Sequence, residues 1–257
     1  MAEAAETASA SLDAILDGRL RLRQPLSGHR VGADAVLLAA AAGAPARRLV
    51  DVGAGVGAVG LALLQRWPEA LADLVEIDPA LAALARENAA LNGLAERARV
   101  VVADALSPAA RRAAGLRDGE AALVVVNPPF FAPGAVRASP DASRARAHVA
   151  RAGPPGCSPL EAWIVASLAL LAPGGRFVII HRPDALPAIL PALARRLGEI
   201  ALRPVHPRAG EAAIRLIISG VKGSRAPLSV LPGLTLHEAS GAFTPLAEAI
   251  HRGEAFL

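Results

Sequence analysis

The chain has 257 residues, 53% hydrophobic and only 3% aromatic with no tyrosine, enough apolar content for a sizeable core in one large or two small α/β domains. Its formal charge is +4 and its basic residues are nearly all arginine, Lys222 being the one lysine. A single cysteine, Cys157, excludes an intrachain disulfide and a cysteine-based metal cluster and fits a reducing cytoplasm.

The opening "MAEAAETASAS" is acidic and small. It lacks the basic start and apolar centre of a secretion signal, so residues 1–11 are expected to form a disordered tail. "LRLRQ" (20–24) alternates as a short strand does, and "GADAVLLAAAA" (32–42) predicts a helix with Asp34 near its start and Gly43 at its end. A regular alternation follows. "RRLVDV" is a strand and "AVGLALLQRW" a helix; "LADLVEI" is a strand and "PALAALARENAALNG" a helix with Pro79 in its first turn and Gly93 as a stop. "ARVVVAD" is a strand followed by a helix near 107–114, and "AALVVV" is the fourth strand. An irregular loop spans about 131–157, then a helix "PLEAWIVASLALLA", the strand "RFVIIH" and a helix across 184–197. "EIALRPVHP" and "EAAIRLIISGV", joined at "RAG", predict an antiparallel hairpin.

Near-continuous apolar strands alternating with helices imply a parallel sheet covered on both faces. The expected architecture is α/β and Rossmann-like: a seven-stranded, mostly parallel sheet with one antiparallel strand. Residues 12–257 read as one domain with an N-terminal appendage over 12–45. No uninterrupted apolar run reaches the roughly 18 residues of a membrane span. From Phe131 onward 14 Lys+Arg stand against 8 Asp+Glu, while the preceding half is slightly acidic. That asymmetry points to a polyanionic partner, against the plainer reading of an ordinary basic enzyme with an arginine-rich coding bias.

"VDVGAGVGAVG" (50–60) joins the first strand of the alternation to its helix. Gly53, Gly55 and Gly57 permit a sharp turn and close approach to a ligand, and the helix start offers free N–H groups. Gly55, Gly57 and Gly60 also satisfy the dinucleotide pattern G-x-G-x-x-G, with Glu76 at the spacing for a ribose, so an NAD-binding protein stays open. Three carboxylates favour S-adenosylmethionine instead. Asp51, just before the glycines, suits an ammonium group and repels a pyrophosphate. Glu76 ends the second strand of the alternation, where it can accept ribose hydroxyls. Asp104 follows the third and can accept from an adenine amine. Carboxylates at the ends of successive strands line one crevice, where open α/β sheets bind ligands.

"VVVNPPFF" (124–131) ends a buried strand with an amide, two prolines and two phenylalanines. The prolines stop the sheet and fix φ. Asn127 and the carbonyl of Pro128 can each accept a hydrogen bond from an exocyclic amine, freeing its lone pair for in-line attack, while Phe130 offers a face for a planar base at roughly 1–3 kcal/mol.

At this point the chain resembles a known family. "NPPF" is similar to the amino-methyltransferases of amides and nucleobase amines. "GHRVGADAVLLAAA" (28–41), with "GGRFVIIHRPDAL" and "HPRAGEAAIRLIISGVKGSRAPL", resembles the bacterial tRNA1(Val) adenine-N6 methyltransferase family from about Leu16 to the C-terminus. The resemblance implies a class I methyltransferase fold with cofactor contacts at Asp51, Gly53, Ala54, Gly55, Gly57, Glu76, Ile77, Asp104, Ala105 and Asn127. Gly32 and Asp34 would cover the methionine end. Catalysis falls to Asn127, Pro128, Pro129 and Phe130, and the substrate is an adenosine beside the tRNA anticodon. A guanine amine in rRNA or a glutamine amide in a protein would suit the same turn, and a methyltransferase-like binding module stays open beside the NAD reading.

Arg137, Arg144, Arg146, Arg151 and His148 crowd the loop after the turn against one acid, Asp141, and are candidates to hold phosphates. His148 is also a candidate base. The six histidines show no metal spacing, so no metal is expected. Cys157 reads as a loop thiol.

Overall fold

The computed structural model describes residues 10–27, 30–129 and 158–257. Its strands are β1 (Ala10–Ile15), β2 (Leu20–Pro25), β3 (Arg48–Val52), β4 (Leu71–Glu76), β5 (Ala98–Val102), β6 (Ala121–Val126), β7 (Leu171–His181), β8 (Leu197–Arg208), β9 (Arg215–Lys222), β10 (Ser229–Val230) and β11 (Leu234–His237). Its α-helices, numbered in chain order, are α1 (Ala33–Ala40), α2 (Ala58–Arg66), α3 (Pro79–Leu91), α4 (Pro108–Ala113), α5 (Pro159–Leu170), α6 (Leu186–Ala194) and α7 (Pro245–His251).

Local chemistry sets several helix starts. Asp78, Ser107, Ser158 and Thr244 each accept a hydrogen bond from an amide of the first turn, and a proline follows each at the first helical position. Gly93, at φ +68, ends α3 as its position suggests. The predicted elements recur with shifted ends: α5 stops at Leu170 because Leu171 already belongs to β7, and α6 ends at Ala194.

The main sheet runs β10-β8-β9-β7-β6-β3-β4-β5, with β11 also pairing β8. Strand β9 is antiparallel to both neighbours, and the remaining pairings in this sheet are parallel. The expected seven strands are therefore present, but β10 and β11 extend the edge beyond β8. A two-residue strand and a four-residue one separated by Leu231, Pro232 and Gly233 carry no periodicity to read. A separate hairpin pairs β1 with β2, so pairing starts at Ala10, inside the stretch expected to be a tail.

The pleat divides the core into two layers. Leu49, Leu74, Val125, Val178 and Ile180 pack with α1, α2 and α7, and Leu20 and Leu22 of the hairpin complete that layer. Val52, Val75, Val126, Phe177 and Ile179 pack on the other face with α5 and α6. Among the described residues no helix is long and apolar enough to cross a membrane.

Candidate active site

Strand β3 lies where the strand order reverses: the chain runs outward through β4 and β5, then returns to place β6 on the other side of β3. Such a switch point opens a crevice beyond the carboxyl ends of the strands. The register makes the crevice specific. Val52 is level with Val75 on one side and Val126 on the other, and Glu76 is level with Val102. Val126, Val52 and Val75 thus form the last paired row across three adjacent strands, each step about 4.8 Å, and Asn127, Gly53 and Glu76 are the next residues along the three. The alternation that puts Leu49 and Leu74 in the α1–α2 layer turns Asp51 and Glu76 to that same side.

The loop after β3 is tied to its neighbour. The amides of Gly53 and Ala54 both donate to the Val75 carbonyl, at 2.8 and 3.0 Å. Gly53 (φ +73) and Gly55 (φ +56) take the left-handed backbone that favours glycine. A side chain at Gly53 would meet the Trp163 ring at 2.6 Å, whereas one at Gly55 would enter open space. Gly60, the last glycine of the dinucleotide pattern, lies in the first turn of α2, where a Cβ would overlap Leu74. Its role here is close helix–strand packing.

The acids beneath the loop are held by backbone amides. Asp51 is 2% exposed and accepts from Gly60 N–H at 2.9 Å. Burial pushes its carboxyl up to about 7, the Gly60 amide pulls it back, and the nearby Glu76 raises it further. Glu76 is 7% exposed. Its Oε1 accepts from Ile77 and Asp78, and its Oε2 from Gly55, each at 2.8 Å. Burial raises the Glu76 pKa against those three amides, with a further upward push from Asp78. A carboxylate offers about four acceptor sites, so roughly one remains. Accepting both ribose hydroxyls would require one amide to be released.

The other expected positions surround this pair. Asp104 caps the turn after β5 by accepting from Leu106 N–H at 2.9 Å, and Ala105 is buried behind it, its carbonyl held by Arg111. Ile77 is 48% exposed at the crevice edge, an apolar surface suited to a planar base. Gly32 caps α1 without a side-chain hydrogen bond. Asp34 does not face the crevice unencumbered: both its oxygens accept from Arg215 Nε at 2.9 Å, so its carboxylate anchors α1 to β9. Asn127 and Pro129 are half-buried and Pro128 is buried. Phe130, Arg137, Arg144, Arg146, His148, Arg151 and Cys157 lie outside the described residues. Trp163 escaped the sequence reading, because within "PLEAWIVASLALLA" it looks like one more core residue of an apolar helix.

These residues fit S-adenosylmethionine. Buried acids under the loop match an ammonium and a ribose, Gly55 faces open space that a side chain would enter, and Ile77 supplies an apolar wall. A family model for the methyltransferase small domain matches residues 28–145. The chain is 32% identical, over 84% of each chain, to the tRNA1(Val) (adenine(37)-N6)-methyltransferase of Porphyromonas gingivalis. It belongs to the tRNA1(Val) adenine-N6 methyltransferase family. A crystal structure described as a predicted O-methyltransferase from Agrobacterium tumefaciens shares 32% identity and a TM-score of 0.72, covering 87% of this chain and 98% of that one. A 16S rRNA guanine-N2 methyltransferase of T. thermophilus, solved with AdoMet and guanosine, shares the fold at a TM-score of 0.55 and 21% identity, covering 83% of this chain and 50% of that one. As a member of the tRNA1(Val) adenine-N6 methyltransferase family, the protein is a class I methyltransferase whose cofactor is S-adenosylmethionine. With S-adenosylmethionine as the cofactor, the NAD reading falls away.

Proposed function

We propose that this protein methylates the exocyclic N6 amine of an adenosine beside the anticodon of a tRNA. The observation that supports this reading is the paired row of Val126, Val52 and Val75, directly after which come the Asn-Pro-Pro turn, the glycine loop and Glu76. The relative's name supplies the substrate class.

When bound, S-adenosylmethionine supplies an electrophilic methyl group on a positively charged sulfur. The Asn127 side-chain oxygen and the Pro128 carbonyl accept the two N–H bonds of the amine. Accepting both bonds would draw the nitrogen toward tetrahedral geometry and free its lone pair from the ring for attack. The bound cofactor would supply the methyl to nitrogen and keep the carbon–sulfur bond electrons on its sulfur, while the amine proton would leave to water. A strong base is not required, because the amine becomes acidic as it acquires the methyl. Catalysis is positioning plus electrostatics. In this reading Phe130 would stack on the base, and Arg137, Arg144, Arg146 and Arg151, with His148, would hold RNA phosphates; all six lie outside the described residues.

The test is transfer of labelled methyl to separate tRNA, rRNA and protein fractions, followed by nucleoside analysis. N6-methyladenosine in tRNA is expected. Label confined to rRNA guanine or to protein glutamine would overturn the substrate. Asn127→Ala is expected to abolish transfer while S-adenosylhomocysteine binding stays within about twofold; retained transfer would refute the mechanism.

A further inference from the structure

Asn88, in the third turn of α3, is completely buried, and the reaction as described does not use it. Its Oδ1 accepts from Arg23 N–H at 2.6 Å, and its Nδ2 donates to the Arg23 carbonyl at 3.1 Å and to the Val56 carbonyl at 2.9 Å. Only one orientation of the amide satisfies all three partners. Toward β2 this side chain behaves as a neighbouring strand would, pairing both the N–H and the C=O of one residue. Toward the glycine loop it holds the carbonyl between Gly55 and Gly57. Asn92, one turn further along α3, repeats the first half of the pattern. It accepts from Arg21 N–H at 2.9 Å and donates to the Arg21 carbonyl at 2.7 Å, but its remaining bond is to the Asn88 carbonyl and not to the loop. The two asparagines thus hold one hairpin, and Asn88 also holds the loop.

The hairpin reaches the other wall of the crevice as well. Gln24 is 3% exposed. Its Oε1 accepts from Val31 N–H at 2.7 Å, just before the α1 cap, and its Nε2 donates to Asp13 at 2.8 Å. Asp13 in turn binds Arg30 at 2.6 Å.

We infer that Asn88 is a positioning residue that makes the N-terminal hairpin and the cofactor loop one mechanical unit. The inference rests on placing the cofactor at the glycine loop. Ordering the loop by ligand must then order the hairpin at Arg23, and loosening Asn88 must weaken the ligand, because coupling is reciprocal.

Asn92→Ala is the control, since it frees the hairpin at Arg21 without releasing the loop. Asn88→Ala removes all three bonds. Asn88→Asp keeps the acceptor for Arg23 N–H but sets a carboxylate oxygen against two carbonyls. Both Asn88 variants are expected to raise the KM for S-adenosylmethionine and the Kd for S-adenosylhomocysteine about tenfold or more, with kcat at saturating cofactor within about twofold. Asn92→Ala lowers the melting temperature with KM within about twofold of wild type. Equal KM effects for Asn88→Ala and Asn92→Ala at matched melting temperatures would overturn the inference. Hydrogen exchange on the wild type covers the case in which the Asn88 variants do not fold. Saturating S-adenosylhomocysteine is expected to slow exchange of the Arg23 amide more than that of Arg21, and equal response of the two amides counts against the coupling. A wild type whose Gly53–Gly57 amides do not respond to S-adenosylhomocysteine at all would remove the cofactor placement itself, and the inference with it; response there without response at Arg23 removes only the coupling.

Discussion

The two edges of the sheet both carry carboxylates and use them in opposite ways. At the amino edge, Arg47, Arg48, Arg97, Arg99 and Arg117 line a hollow of about 540 Å³ together with Asp73, Glu96 and Glu120. Charges there find each other: Arg48 pairs with Glu120 at 3.1 Å and Arg99 with Asp73 at 2.6 Å. At the carboxyl edge, Asp51 and Glu76 are buried, held by backbone amides, and both are pushed toward protonation. The lesson is that cavity volume and charge density do not mark the candidate site. A carboxylate buried without a cation is costly to keep ionised. Such a site is well suited to a ligand that brings its own cation.

The largest expected contrast between the edges comes from Gly53→Val. A branched side chain at φ +73 would drive into Trp163. S-adenosylhomocysteine binding is expected to vanish in calorimetry, with a loss of stability of about 2 kcal/mol or more. Binding within tenfold of wild type would show that the loop is not the cofactor's cradle.

Next is Asp51→Asn, where two pH dependences run in opposite directions. The folded carboxyl titrates near 7 rather than at its ordinary 3.8. Its contribution to the free protein's stability is therefore complete below about 3.8 and is lost as pH rises through about 7. Cofactor affinity behaves the other way, because the ammonium prefers the ionised acid. Wild-type affinity for S-adenosylhomocysteine is expected to rise between pH 6 and pH 8. The Asp51→Asn substitution is expected to flatten that rise while removing the fall in melting temperature over the same interval. A pH-independent wild-type affinity would separate Asp51 from the ammonium.

The smallest effects sharpen the comparison from the amino edge. Arg48→Ala breaks a half-exposed ion pair, and its cost is expected to be about 0–1 kcal/mol with kcat/KM unchanged. Asp34→Ala breaks the better-shielded pair with Arg215 and is expected to cost about 1–2 kcal/mol and to raise KM severalfold, since α1 borders the crevice. Equal responses of these two variants in thermal melts and kinetics would erase the distinction between the edges.

The fold was largely legible in the chain because its signals are local. Apolar runs of strand length, glycines after helices and prolines at first helical positions each act within a few residues. Asp51, Glu76 and Asn127 were legible for the same reason: each follows or ends such a run, and strand ends in an alternating β/α chain share one edge. Asp34 was placed at the crevice on resemblance, and its pairing with Arg215 joins residues 181 positions apart. Short strands such as β10, and Trp163 inside an apolar helix, carry no local mark of their partners.

By itself the sequence determined the alternation, the glycine turn, the acids at the strand ends and the rigid Asn-Pro-Pro stop. Only the tertiary structure decided that Val126, just before Asn127, stands level with Val52, just before Gly53, that Trp163 covers that glycine, and that Asn88 ties Arg23 to Val56 across 65 and 32 residues of chain. Strand register and side-chain contacts between distant segments are set by the hydrogen bonding and packing of the whole sheet, which no local period encodes.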